Sequence, residues 1–314
     1  MIEKLGTAPY RFVLSPMAGI SDMPYRTLCR EMGSAFSFSE FISADSLYRA
    51  NARSAKMVTF SERERPMVIQ IFGSDPDIIV EAAKIVEKYQ PDGIDINLGC
   101  SVRKIAGRGA GSALLAKPEQ IKIIFQKLKK SVKLPVSAKI RLGVNTKQKN
   151  YLEIGQILES EGAWAVFVHG RTASMGYTGV ADWDSIGELK NALFIPVFGN
   201  GDIQSYEEGV KKIDQYGVDG VLIGRAAIGN PWIFSGKDIR NIHYPERLPV
   251  ILRHFHLMVD HYGEEFAVLL FRKHLVKYLK YVEKGSDLKV AVMEIKKQND
   301  LESLLEEFTA FSGV

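Results

Sequence analysis

The chain has 314 residues, of which 46% are hydrophobic and 25% charged, with a formal net charge of +4. That balance is ordinary for a globular protein and excludes a disordered or fibrous one, while the mild basic excess permits an anionic partner without demanding it. No apolar run is long enough to span a bilayer, and Met1-Ile2-Glu3-Lys4-Leu5-Gly6 lacks an apolar signal core, so a cytoplasmic protein is expected.

Short β-rich runs alternate with helix-like stretches up to about Trp232. The predicted strands are Phe12–Pro16, Phe36–Glu40, Val68–Phe72, Gly93–Asn97, Val136–Ile140, Ala165–His169, Val197–Asn200 and Gly220–Ile223. Between them the spacing predicts helices over Pro24–Met32, Pro76–Lys88, Pro118–Lys130, Tyr151–Glu161, Trp183–Leu193 and Ser205–Tyr216. Proline or a capping residue opens several of these, and Gly33, Gly162 and Gly217 sit just beyond three of them. Eight such units predict an α/β fold, a (β/α)8 TIM barrel spanning residues 1–242. His243–Pro249 reads as a polar, proline-bearing linker. From Val250 the pattern is helical without strand alternation, which predicts a separate all-helical domain over 243–314.

Polar residues collect where the strands end. Ser15-Pro16-Met17-Ala18 follows the first strand, and Gln70 lies in the third. Asn97 and Cys100 end the fourth, Lys139 and Arg141 the fifth, and His169 and Arg171 the sixth. Asn200-Gly201-Asp202 ends the seventh and Gly224-Arg225 the eighth. In a closed barrel all of these converge on one mouth, where such folds build their active sites.

Cys100 is followed closely by Arg103 and Lys104. A thiol carries protons usefully near neutral pH, and nearby cations favour its ionised form, although a lone cysteine is more often a small buried residue. Cys29 and Cys100 have neither metal-ligand nor disulfide spacing, which suits a reducing compartment. Lys139 could balance an anionic cofactor ring, bind phosphate or form a Schiff base. His169 could donate a hydrogen bond or move a proton; no second ligand stands near it at metal spacing, so no metal is expected. The glycines of the seventh and eighth loops, with Arg225, suit a phosphate group. Gly107-Arg108-Gly109-Ala110-Gly111 lacks a preceding strand and is a poor dinucleotide fingerprint; a flexible loop over the mouth, carrying Arg103, Lys104 and Arg108, is expected instead. In the tail, Arg272, Lys273, Lys277, Lys280 and Lys284 recur at helical spacing, as a solvated face or a grip on a phosphate backbone.

Together these residues resemble the dihydrouridine synthase family, flavin enzymes that reduce uridines in tRNA. The matching positions are Pro16-Met17-Ala18-Gly19, Asp22, Pro24, Arg26, Gln70, Asn97-Leu98-Gly99-Cys100, Lys104, Gly107-x-Gly109-Ala110, Lys139-x-Arg141, His169-Gly170-Arg171, Asn200-Gly201-Asp202, Gly224-Arg225 and Phe271-Arg272-Lys273-His274. They cover nearly the whole chain and are specific in combination. One position departs: Ser101 stands where the family usually has proline.

The resemblance implies FMN as cofactor, NADPH (or NADH) as reductant, tRNA as partner, and a monomer or weak oligomer. Pro16, Met17, Ala18, Gln70, Lys139 and His169 would meet the flavin ring. Asn200, Gly201, Asp202, Gly224 and Arg225 would hold its ribityl phosphate. Cys100 would be the general acid, with Asn97, Arg141 and Arg171 orienting the base. Three rivals remain at this point: a flavin barrel acting on a free pyrimidine, a Schiff-base lyase using Lys139, and an RNA-binding protein without catalysis.

Overall fold

The structure, a computed structural model, describes residues 11–311. Eight parallel strands form its centre: β1 (Phe12–Leu14), β2 (Ser37–Phe38), β3 (Met67–Phe72), β4 (Gly93–Leu98), β5 (Val136–Arg141), β6 (Val166–His169), β7 (Val197–Asn200) and β8 (Gly220–Ile223). Their spatial order is β1-β8-β7-β6-β5-β4-β3-β2. The seam between β1 and β2 is bridged where Ala35 N–H donates to the Phe12 carbonyl at 2.8 Å and Leu14 N–H to Ser34 Oγ at 3.1 Å. The result is the expected TIM-barrel architecture, nearly closed.

Strand parity explains what fills it. Side chains alternate between faces along a strand. One parity buries Phe12, Leu14, Ile69, Ile71, Ile94, Ile96, Ala138, Ile140, Val166, Val168, Val221 and Ile223 under the helices. The other parity points inward, where Val13, Phe36, Phe38, Val68, Phe167, Phe198 and Leu222 form a separate apolar plug. Phe38 and Phe167 meet edge to face with centroids 4.9 Å apart, and Phe167 and Phe198 lie 5.1 Å apart. Two residues further along the same parity, the inward side chains turn polar: Gln70, His169 and Asn200. Asp95 and Asn97 on β4, and Ser137, Lys139 and Arg141 on β5, continue that inward row. The plug therefore closes one end of the barrel and leaves a polar basin at the other.

The six predicted outer helices form to within a residue or two of their stretches, and three short helices that the sequence reading did not expect stand among them. They begin with α1 (Met23–Glu31), then α2 (Ala44–Tyr48) and α3 (Ala52–Val58) after β2, α4 (Pro76–Glu87) after β3, and α5 (Arg103–Ala106) with α6 (Pro118–Ser131) after β4. The series continues with α7 (Tyr151–Ser160), α8 (Trp183–Ala192) and α9 (Tyr206–Tyr216). Local chemistry sets their ends. Asp75 accepts from the N–H groups of Asp77 and Ile78 at 2.8 and 3.1 Å to start α4, and Gly217, at φ +65°, ends α9. Two strand pairings also escaped the sequence reading. Ile42–Ser43 pairs with the end of β3, and Gly143–Asn145 forms a hairpin with Gln148–Lys149.

Beyond β8 three single-turn 3-10 segments lead into α10 (Tyr244–Tyr262), α11 (Glu264–Tyr278), α12 (Gly285–Glu294) and α13 (Gln298–Phe311). The stretch expected as a linker is helical: α10 starts at Tyr244, with a reciprocal cap between His243 and Glu246 and Pro245 in its first turn. Pro249 inside the helix costs about 3 kcal/mol. Ile251, Phe255 and Met258 on the same helix are fully buried, at about 1.5–3 kcal/mol each, so burial wins and the helix continues through the proline.

The buried apolar cluster that lies outside the barrel strands runs unbroken into these helices. Two devices join them to the barrel. The buried guanidinium of Arg247 donates to the carbonyls of Ile239, Ile242, Tyr278 and Lys280. Gly229, at φ +65°, lies so close to α11 that a Cβ there would sit 2.5 Å from Lys277 Cβ and 2.6 Å from Tyr278 N.

Candidate active site

The polar basin opens as a cavity of about 430 Å³. Of the residues singled out from sequence, Pro16, Met17, Ala18, Asn97, Cys100, Lys139, Arg141, His169, Arg171, Asn200, Gly201, Asp202, Gly224 and Arg225 all line it. Gln70 does not. It is fully buried behind Asn97.

The register of the sheet brings these groups level. Asn97 sits opposite Lys139, Arg141 opposite His169, and His169 opposite Asn200. Lys139 Nζ donates to Asn200 Oδ1 at 3.1 Å, and Asn200 Nδ2 donates to the Leu222 carbonyl at 2.8 Å. Burial, reinforced by Arg141, draws the Lys139 pKa down to about 8, so the ammonium is still mostly charged at neutral pH. Burial, with Lys139 and Arg141 alongside, pulls His169 down to about 2, which leaves a neutral imidazole in the basin.

Around Cys100 the loop is held from several sides. Its N–H donates to Asn97 Oδ1 at 2.9 Å, and the Gly99 N–H to the same oxygen at 3.1 Å. Ser112 N–H donates to the Cys100 carbonyl at 3.0 Å. A Cβ on Gly111 would lie 2.6 Å from that carbonyl, so only glycine fits beneath the thiol's backbone. The glycine-rich stretch thus packs under Cys100. Arg103, Lys104 and Arg108 are exposed beside it and do not line the cavity.

Other predicted residues are committed to the frame. Arg141 Nε donates to the Gly99 carbonyl at 2.8 Å, and its Nη1 to the carbonyls of Thr172 and Gly176. Arg171 is buried and donates to the carbonyls of Thr178 and Gly179 and to both oxygens of Asp202. Asp202 also accepts from Ala181 N–H at 2.8 Å and Arg225 Nη2 at 3.1 Å. Burial raises the Asp202 pKa, but its bonds from Arg171 and Ala181 outweigh that and hold it below the usual carboxylate range.

Two residues escaped the sequence reading. Asp95 is fully buried beneath the basin, accepting from Gln70 Nε2 and Ser137 Oγ at 2.7 Å each. Burial raises its pKa to about 7, against the pull of those two bonds. Its signal was the alternation of β4, which sets Asp95 on the same inward face as Asn97. Tyr177 stands at the rim with Arg141 and Arg225 guanidinium carbons 5.9 and 5.3 Å from its ring centre. It belongs to an irregular loop and left no periodic signal.

The basin has a net excess of cations. Lys139 has a neutral carboxamide as its hydrogen-bond acceptor, and Arg141, Arg171 and Arg225 stand around it. An anionic, ring-bearing group fits such a lining, with Lys139 near the ring and the glycines at positions 201 and 224 leaving room for a phosphate. Among the described residues no cluster of three or more His, Cys, Asp or Glu could hold a metal ion, and no helix is long and apolar enough to cross a membrane.

A parallel barrel with a cation-lined mouth at the strand ends has the architecture of an enzyme that holds an anionic substrate or cofactor there. The sequence profile described as "Dihydrouridine synthase (Dus)" matches residues 13–312. The tRNA-dihydrouridine synthase B of Pseudomonas aeruginosa is 38% identical over 281 residues, 87% of this chain and 85% of that one. A probable tRNA-dihydrouridine synthase of Mycobacterium leprae is 34% identical, covering 93% of this chain and 86% of the relative. Among solved structures, histamine dehydrogenase from Rhizobium sp. 4-9 shares the fold at a TM-score of 0.53 and 11% identity, over 85% of this chain and 49% of that one. The chain belongs to the dihydrouridine synthase family.

Proposed function

We propose that this protein reduces uridine to 5,6-dihydrouridine in tRNA, with FMN as its flavin and NADPH (or NADH) as reductant. The observation that carries the reading is the meeting of Cys100, Lys139 and His169 in one basin, within a family whose relatives bear that activity in their names. When bound and reduced, the flavin supplies a hydride equivalent to C6 of the uracil.

The rest falls to the chain. Cys100 donates a proton to C5 across the base. Lys139 carries positive charge against the ring, and neutral His169 offers a hydrogen bond beside it. Pro16, Met17 and Ala18 pack against the ring, and Gln70 acts through Asn97. Gly201, Gly224 and Arg225 receive the phosphate, with Asn200 holding Lys139 and Asp202 holding Arg225. Asn97 keeps one Nδ2 hydrogen for the base. Arg141 and Arg171 set the loop that walls the base in. The uridine must leave its stack to enter, and contact with a flat ring offsets part of that cost. What favours the tRNA reading over a Schiff-base lyase is the family and its named relatives, since the burial and the neighbouring Arg141 that lower the Lys139 pKa suit either chemistry.

We assign RNA contact to the helical segment, residues 243–314, acting with the barrel. Of the five tail cations, Arg272 donates to the Ile295 carbonyl at 2.6 Å and Lys273 to the Gly19 carbonyl. Lys277 and Lys280 are exposed and line a cleft with Lys237 and Arg240 that adjoins the basin at Arg225. Charge reversal at Lys277 and Lys280 is expected to weaken tRNA binding and to flatten its salt dependence by about one unit of slope per lost phosphate contact. Filter binding at several salt concentrations reads both; unchanged slopes would return those lysines to a solvated face.

The deciding experiment is to incubate the purified, flavin-loaded protein with unmodified tRNA and NADPH and map dihydrouridine. Modified positions are expected. NADPH oxidation without any dihydrouridine would overturn the assignment.

A further inference from the structure

Three inward side chains beneath Cys100 form a chain in which every hydrogen bond points the same way. Cys100 N–H donates to Asn97 Oδ1 at 2.9 Å, Asn97 Nδ2 to Gln70 Oε1 at 2.8 Å, and Gln70 Nε2 to Asp95 Oδ2 at 2.7 Å. Asn97, Gln70 and Asp95 are all buried. A carboxamide can turn over and exchange its oxygen and nitrogen, so neither Asn97 nor Gln70 has a direction of its own. The direction comes from the two ends. The backbone N–H groups of Gly99 and Cys100 can only donate, and at the lower end both Asp95 oxygens accept, one from Gln70 and one from Ser137. Without an acceptor at the lower end, Gln70 is free to turn its nitrogen toward Asn97. Asn97 must then turn too, and its nitrogen faces the Cys100 N–H donor to donor.

We propose that Asp95 is a positioning residue for Cys100: its carboxylate fixes the sense of the Gln70 and Asn97 carboxamides and thereby the seat of the cysteine loop. The assignment rests on the reading of Cys100 as proton donor. Its sharpest competitor is that Asp95 serves only as a counter-charge to Lys139, one strand away.

Three variants separate these. Asp95→Asn keeps an oxygen for Gln70 while its amide faces Ser137, whose hydroxyl can accept; Asp95→Leu removes the acceptor; Gln70→Met breaks the chain in the middle and serves if Asp95→Leu fails to fold. Three quantities are read on flavin-loaded enzyme: flavin reduction by NADPH, single-turnover reduction of tRNA by pre-reduced enzyme, and hydrogen exchange in the peptide containing Gly99 and Cys100.

The expected result is a tRNA step slowed about 10–100-fold in Asp95→Leu and Gln70→Met, the scale for a reacting group displaced by about 1 Å. NADPH reduction should stay within about threefold in Asp95→Leu, exchange at Cys100 should quicken about tenfold in both variants, the scale of one lost hydrogen bond, and Asp95→Asn should restore the tRNA step and the exchange. A slowed tRNA step in Asp95→Asn equal to that in Asp95→Leu would assign the effect to charge and overturn the proposal. So would exchange unchanged from wild type in Asp95→Leu. Full activity of Cys100→Ala would remove the proton-donor reading itself, while the exchange result would still report whether Asp95 seats the loop.

Discussion

Replacing Cys100 by alanine is expected to leave flavin binding and its reduction by NADPH intact and to slow uridine reduction by about 10²–10⁴-fold, the usual contribution of a positioned proton donor. The alanine keeps the backbone that the loop is built on, since the contacts of residue 100 with Asn97 and Ser112 run through its N–H and carbonyl. What disappears is one sulfur facing the basin. Hydride arriving at C6 leaves charge across C5 and O4, and without the thiol only water can discharge it. The clean measurement is single turnover with pre-reduced enzyme and tRNA, because steady-state rates mix both halves of the cycle. Wild-type single-turnover rates in the variant would remove the cysteine from the chemistry. A flavin-free variant would point instead to a structural role for the side chain.

Acidification is expected to destabilise the joint between barrel and tail. His254 and His274 are fully buried there, with ring centroids 4.6 Å apart. His254 Nδ1 meets Tyr278 Oη at 3.1 Å, while His254 Nε2 and both nitrogens of His274 have no hydrogen-bond partner. The groups facing them are Tyr25 on α1, Phe271, Lys273 and Tyr278 on α11, with Cys29 behind Tyr25. Burial, then the charge of Lys273, pulls His274 down to about 3; burial, then His274, holds His254 well below its ordinary value.

In the unfolded chain both would titrate near 6.5. Below that pH the unfolded state binds the extra protons and the folded state does not. The stabilisation is therefore complete above about pH 6.5 and is lost as pH falls, at about 1.4 kcal/mol per pH unit for each histidine until its folded value is reached. Urea unfolding between pH 7.5 and 4.5 should show this slope in wild type. A His254→Gln, His274→Phe double variant should be flatter over the same range. Equal slopes would place the acid sensitivity elsewhere.

Much of the barrel was readable because its signals are local and repeated. Apolar runs bounded by turn residues marked all eight strands, and Asp75, Ser205 and Gly217 marked helix ends where caps are observed. The strand-end residues were readable for a related reason: inward parity places every second residue of a strand in the basin, so Asn97, Lys139, His169 and Asn200 had to converge once the barrel closed. What failed to show were effects that depend on partners distant in sequence. Pro245 and Pro249 suggested a linker, and only the burial of Ile251, Phe255 and Met258 against the rest of the chain turns that segment into helix. The Gln70 carboxamide bonds to Asp95 and Asn97, 25 and 27 residues on, and no local pattern marks that link. Nothing local to Arg171 marked its ion pair with Asp202, 31 residues on. Tyr177 lies in a loop whose shape is set by the carbonyls that Arg141 and Arg171 hold.

The close approach at Gly229 has a consequence for substrate choice. Backbone there meets backbone of α11, so no side-chain rearrangement can widen the gap between the end of β8 and the cleft that holds Lys277. If RNA is gripped in that cleft, the span from grip to basin is a fixed caliper. Uridines would then be sorted by how far along the folded tRNA they lie from the gripped stretch, and neighbouring bases would matter little to the choice.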